Sequence, residues 1–179
     1  KKLLPDTIVI MTGYHSMRKP EETMQESATD IVLRSSHIDF ALARLVPFIA
    51  SNPDWRLTCS LEGLSIRTKG NIFRSTGNFR QVEPLDNTPL VDRDLVQWES
   101  YAYENGNFLQ TPGTYASSVI RDCMFGKCTF CRYNGPDLTF SIMSVERSLD
   151  EYQILIEKYG VKEIFDDSGV WYRGKEARE

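Results

Sequence analysis

Thr7-Ile8-Val9-Ile10-Met11-Thr12-Gly13 and Asp30-Ile31-Val32-Leu33 bracket the stretch whose reading decides the fold. The first is a continuous β-branched and apolar run, the pattern of a strand buried on both faces in a parallel sheet. It stops at Thr12-Gly13, where glycine permits a tight turn. Pro20 followed by Glu21 and Glu22 marks a helix start, because proline suits the first helical position and acids suit the first turn. That helix is read through Ser27, and Asp30 to Leu33 is the second strand. Ile38, Leu42, Leu45, Val46 and Ile49 then recur on one helical face. Pro47 lacks a backbone donor, so a kink or an end is expected near Val46. Strand, helix, strand, helix is the order of an α/β architecture.

Outward from this core the pattern changes twice. Leu64 and Ile66 alternate with polar residues, Thr68-Lys69-Gly70-Asn71 supplies a turn, and Ile72-Phe73 begins a return strand, so a hairpin is expected. From Pro84 to Gly113 no period is sustained, and this stretch reads as a connector. The α/β rhythm then resumes. Tyr115 to Ile120 reads as a strand leading into a cysteine loop, and Ser144 as the N-cap of a helix with Glu146 in its first turn. Val145, Leu149, Tyr152, Ile156 and Tyr159 form an apolar stripe that Gly160 ends. Val161 to Phe165 is a further strand, closed by Asp166-Asp167-Ser168-Gly169. The organisation expected is 1–80, a connector over 81–114, and 115–179. Trp55, Trp98 and Trp171 read as core or packing residues.

Composition bounds the function. The 179 residues carry 21 Lys+Arg against 25 Asp+Glu, a formal charge of −4. A protein whose main partner is a nucleic-acid backbone normally needs a basic surface, so no nucleic-acid partner is expected. The longest apolar run, Thr7 to Met11, is far too short to span a bilayer. With neither an initiator Met nor a signal-like apolar region at Lys1 to Asp6, a soluble, cytoplasmic protein is expected, and a piece of a longer one. There is no P-loop, no G-x-G-x-x-G and no local signature of a serine–histidine–acid set.

The cysteines carry the chemistry. Of four, Cys123, Cys128 and Cys131 lie in a C-x4-C-x2-C motif, and Cys59 stands alone. A secreted disulfide framework would spread its cysteines along the chain, so the cluster reads as a metal site. Three thiolates can hold three corners of a cubane iron–sulfur cluster and leave one iron without a protein ligand. A structural zinc site would want a fourth ligand, for which Cys59 is a candidate. That alternative gives a non-catalytic module, stabilised by zinc or by an iron–sulfur cluster, for binding or electron transfer.

The segment Arg121-Asp122-Cys123-Met124-Phe125-Gly126-Lys127-Cys128-Thr129-Phe130-Cys131 resembles the cluster loop of radical S-adenosylmethionine enzymes. Four residues separate its first two cysteines, where the commonest family spacing has three. The aromatic residue before the third cysteine, Phe130, is retained. The resemblance implies a 4Fe–4S cluster on Cys123, Cys128 and Cys131, S-adenosylmethionine on the open iron, and Phe130 packed near the adenine. Ser144 through Ser168 is similar to the first helix and second strand of that family's barrel. Because barrel function gathers at strand ends, Asp166, Asp167 and Ser168 are expected to contact the cosubstrate. An acidic turn that merely caps a strand is the other reading of those residues.

Pro5 to His15, Glu21 to Thr23 and Asp30 to Arg34, together with Pro89 to Leu95, look like the later half of the cobalamin-binding domain that precedes many such barrels. Thr12, Gly13 and His15 are the residues this implies for a corrinoid, although a histidine beside a strand end also serves as a loop hydrogen-bonder. The implied fold is α/β: a partial Rossmann-like (flavodoxin-like) cobalamin-binding domain followed by the first strands of a partial (β/α) barrel. The implied activity is reductive cleavage of S-adenosylmethionine for methyl transfer, radical rearrangement or ring closure on a small-molecule or peptide substrate. An external electron donor of flavodoxin or ferredoxin type would supply the electron.

Overall fold

The computed structural model describes residues 3–79, 83–104, 106–117, 119–135 and 138–170. Trp171 lies outside them. The chain is α/β and divides into two compact units, 1–82 with 124–139, and 83–123 with 140–179.

In the first unit, strand β1 (Ile10–Met11) leads through helices α1 (Tyr14–Arg18) and α2 (Pro20–Glu26) to strand β2 (Ile31–Leu33). The two strands are parallel, with Ile10 opposite Ile31. Gly13 precedes α1 at φ 110°, a conformation that only glycine adopts without strain. Helices α3 (Ile38–Ser51) and α4 (Trp55–Thr58) follow, then the hairpin of β3 (Leu64–Arg67) and β4 (Phe73–Ser75). Its turn is a 3-10 turn with Gly70 at φ 73°. Both β2–β3 and β3–β4 are antiparallel, giving a four-stranded sheet in the order β1-β2-β3-β4.

Ile31, Leu33, Leu45, Trp55, Cys59, Leu64, Ile66 and Phe79 form one buried apolar cluster. Polar groups at its margin are paired. The buried Asp30 carboxylate accepts the Val9 N–H at 2.9 Å and the Arg56 guanidinium at 2.8 Å. Arg67 donates to the carbonyls of Thr29, Ser27 and Met24.

Two expectations change here. The run Thr7 to Met11 is not buried on both faces: only Ile10 and Met11 are strand, at the edge of the sheet, and Met11 is exposed. Nor does α3 end near Val46, because it continues through Pro47 to Ser51. Phe48 and Ile49, beyond the proline, still pack on the core, and Val46 faces outward. The last carbonyls are also served, since Ser51 Oγ donates to Pro47 O and Asn52 Nδ2 to Phe48 O.

The second unit opens with two 3-10 turns, Leu85–Asn87 and Arg93–Val96, and the short helix α5 (Glu99–Ala102). Its strands are β5 (Gly113–Ala116), β6 (Ile120–Arg121), β7 (Ser141–Ile142) and β8 (Glu163–Asp166), with helix α6 (Val145–Glu157) before β8. β5 pairs parallel with β8, and β6 antiparallel with β7. Trp98, Ala102, Ala116, Leu155 and Val161 form its buried cluster, and Tyr159 meets the Trp98 ring edge-on at 5.0 Å. The stretch read as a connector thus contributes Trp98 and Ala102 to a core.

Ser144 caps α6 as expected, accepting the Arg147 N–H at 3.1 Å. The apolar stripe is a correction: Val145, Leu149 and Ile156 are exposed, while Ser148, Glu151 and Leu155 are buried. The buried face is offset because Glu151 pairs with the equally buried Arg93, whose Nη2 is 3.0 Å away. The strand expected over Tyr115 to Ile120 is likewise two short strands. Between them the Ser117 N–H turns aside to the Glu151 carboxylate, at 3.1 Å.

Candidate functional site

The parallel register sets the frame in the second unit. Ala116 of β5 lies opposite Asp166 of β8, so the two strands end side by side. From β8 the chain enters the acidic turn. Asp166 Oδ1 accepts both the backbone N–H of Ser168, at 2.8 Å, and its hydroxyl, at 2.5 Å. The Ser168 hydroxyl in turn accepts the N–H of Ile120, at 2.9 Å, on the strand just before the cysteine motif. The turn is therefore joined to the backbone leading to Cys123, and Asp167 is left exposed beside it. Tyr152 sits near this turn; burial and the negative charges of Asp166 and Glu151 push its phenol above the ordinary tyrosine value.

Before Cys123 the backbone turns at Asp122, which adopts φ 62°. Asp is among the few side chains that tolerate this left-handed conformation. Cys123 is the last residue of its segment of the second unit, and Met124 to Thr139 belongs to the first. In that unit Cys128 and Cys131 form a turn, with the Cys131 N–H on the Cys128 carbonyl at 3.1 Å. Asn134 Nδ2 donates to the same carbonyl at 3.2 Å. The Tyr133 N–H points at Cys131 Sγ at 3.4 Å. All three motif cysteines are free and half-exposed, and Phe130 is 92% exposed. Among the described residues, no three His, Cys, Asp or Glu side chains are gathered as a metal-binding group.

Cys59 is in a different situation. It is fully buried in the apolar cluster of the first unit with Trp55, Leu64 and Phe79, where it packs as a small hydrophobe. After the edge strand β1 of that unit's sheet, Thr12 and His15 are exposed around Gly13. The His15 imidazole lies 3.8 Å from the Glu22 carboxylate, and a side chain placed at Gly13 would meet nothing within 4 Å.

Sequence reasoning missed Arg93 and Glu151, which shape the strand end before the cysteine motif. Arg93 Nη2 also donates to the Tyr115 carbonyl at 2.8 Å. No local signal marks Arg93, which sits between Asp92 and Asp94 in a polar connector, and Glu151 lies one turn from Leu155 on the face that is buried.

An uncharacterized methyltransferase of Pyrococcus horikoshii is 28% identical to this chain over 169 residues, which cover 92% of the chain and 34% of the relative. The chain thus spans about a third of that relative's length. No family model matches the chain, and no solved structure matches it. No helix among the described residues is long and apolar enough to cross a membrane.

Proposed function

We propose that this chain is the cofactor-holding part of a radical S-adenosylmethionine methyltransferase, in which Cys123, Cys128 and Cys131 ligate a 4Fe–4S cluster. The observation that carries the reading is the motif itself: three free, half-exposed thiols supplied by residues 123 to 131. The donor set fits a cubane with one open iron, and the N–H contact at Cys131 suits a metal-bound sulfur. Similarity across nearly the whole chain to a protein named as a methyltransferase supports methyl transfer as the reaction class.

When bound, the cluster supplies one electron, received from an external flavodoxin- or ferredoxin-type donor, to cleave the sulfonium of S-adenosylmethionine. The chain's own residues bind and orient. Phe130 offers an exposed ring to the adenine. Asp167 and the free lone pairs of Asp166 accept hydrogen bonds from the cosubstrate's ammonium or hydroxyl groups, and their charge favours the sulfonium. Ser168 holds Asp166 in place through its hydroxyl. Thr12, Gly13 and His15 are the residues for cobalamin: Gly13 leaves its backbone open to close approach, and His15 is an exposed nitrogen donor.

Burial of Cys59 in the apolar core argues against the alternative of a zinc or electron-transfer module with Cys59 as fourth ligand. Anaerobic reconstitution with iron and sulfide decides the matter. About four irons per chain are expected for a cubane, strongly reduced in Cys123→Ala, Cys128→Ala and Cys131→Ala and unchanged in Cys59→Ala. A single zinc, or full iron loading in each of the three variants, overturns the reading.

A further inference from the structure

Within the first unit, the segment that follows the cysteines meets the rest of the chain at three places. Near Cys131, the Arg132 guanidinium lies 4.9 Å from the centre of the Tyr14 ring and 4.8 Å from that of Tyr133. It also donates to the Tyr133 hydroxyl at 2.8 Å, and the two tyrosine rings meet edge-to-face at 5.6 Å. Further along, the Arg18 guanidinium lies so close over Gly135 that any side chain there would collide with it. At the far end, the fully buried His37 is bonded through Nε2 to the Thr139 carbonyl at 2.8 Å. Tyr14 and Arg18 are the first and last residues of α1.

We infer that α1 is the seat of the cysteine segment, and that Tyr14 and Arg132 are positioning residues that hold Cys128 and Cys131 ready for their metal. The reasoning starts from conformational entropy. A half-exposed loop carrying metal ligands must be ordered when metal binds, and contacts made beforehand remove that cost. Arg132 between two tyrosines is a clamp whose parts are individually weak and jointly geometric: a cation over two ring faces, an edge-to-face ring pair and one hydrogen bond. It adjoins Cys131 directly, and Tyr133 supplies both a ring to the clamp and the N–H that meets Cys131 Sγ. The clamp therefore fixes the sulfur and the ring stack together. Tyr14 also follows Gly13, so the turn proposed for cobalamin and the seat of the cysteines are parts of one short element.

The functional meaning of this seat rests on the proposed ligand role of the cysteines, but its test uses the metal-free full chain, so the two can fail separately. The measurement is the alkylation rate of each cysteine by iodoacetamide, resolved by peptide mass spectrometry. Tyr14→Ala is expected to speed Cys128 and Cys131 about fivefold, as suits the loss of one cation–π and one ring–ring contact, with Cys123 unchanged. Tyr14→Phe keeps both ring contacts and is expected to react like the parent. Buried Cys59 reports on the fold: if it too is accelerated in Tyr14→Ala, Arg132→Gln becomes the deciding variant, since that position is exposed and its change leaves the core untouched. Selective acceleration of Cys128 and Cys131 in Arg132→Gln supports the seat. Parent rates at both cysteines in Arg132→Gln, or in a Tyr14→Ala protein that protects Cys59, overturn it.

Discussion

The two units are held together by different means. The first closes a four-stranded sheet over one apolar cluster in which Ile31, Leu33, Leu45, Leu64 and Ile66 are almost wholly buried. Among the described residues the second has two two-stranded sheets and a smaller cluster, and it relies on polar pins. Arg93 and Glu151 form a buried ion pair, and Glu163 accepts the N–H groups of Leu109 and Gln110, each at 2.7 Å. Asp86 holds Ser144, and Arg147 donates to the Thr88 carbonyl. Apolar packing tolerates approximate fit, whereas a buried charge tolerates no missing partner. The second unit should therefore fail chiefly at single polar residues, and the first at large apolar ones, with the buried Asp30 carboxylate as its own polar pin.

The largest effect is expected at Arg93. Arg93→Met leaves the Glu151 carboxylate buried with the Ser117 N–H as its remaining donor among these contacts, which should destabilise the second unit by about 4 kcal/mol. Hydrogen exchange resolved by peptide would show the loss over β5, α6 and β8. Replacing both partners, as Arg93→Met with Glu151→Met, removes the stranded charge and should recover most of the stability. A double variant as unstable as the single one would show that the pair is not the pin. Leu45→Ala tests the first unit in turn. It should cost about 3 kcal/mol through lost burial and a residual cavity, with exchange increasing over β2 and β3. Equal loosening across the second unit would mean that the two are not separately stabilised.

The same contrast governs what could be read from the sequence. β2 and the hairpin were legible because an apolar run and a glycine-centred turn are local signals, as was the cap at Ser144. The side of α6 that is buried was not legible. Glu151 and Ser148 look like solvent-facing residues until Arg93, 58 positions earlier, is placed beside Glu151. The C-x4-C-x2-C motif was legible from spacing alone. That the chain after Cys123 packs with the first unit was not, because its fastenings join single residues far apart in sequence: Tyr14 with Arg132, Arg18 with Gly135, His37 with Thr139. Pro47 misled for a related reason. A missing donor is a local cost, and packing of Phe48 and Ile49 outweighs it.

A smaller effect is expected at the start of α6. Ser144→Ala removes the acceptor of the Arg147 N–H and should cost about 1 kcal/mol, with faster exchange confined to the first turn of the helix. Ser144→Asp supplies another good cap and should restore it. No local change in Ser144→Ala would mean that Asp86 and Arg147 fix that turn without the cap.

The smallest expected effect is a pH dependence at Asp86. Its carboxylate accepts the Ser144 N–H at 2.8 Å. That bond and a further one from the Ser144 side chain hold its pKa below the ordinary aspartate value, against an opposing effect of burial and with a lesser contribution from the charge of Arg147. A depressed pKa in the folded state means that the ionised group stabilises the fold. The contribution is complete above the unfolded value, about pH 4, and is lost as pH falls through the folded value. Asp86 is exposed, so solvent screening keeps the effect below that of the Ser144 cap. Asp94, also depressed by its bond to Lys158, titrates in the same direction but is present in both proteins when the parent is compared with Asp86→Asn. The difference in their urea midpoints is therefore a report on Asp86 alone. It should be constant near neutrality, shrink as pH falls below about 4 and vanish once the parent's Asp86 is protonated. A difference that stays constant down to the acid limit would assign the Asp86 contact to hydrogen-bond geometry and remove charge from the pins of the second unit at this position.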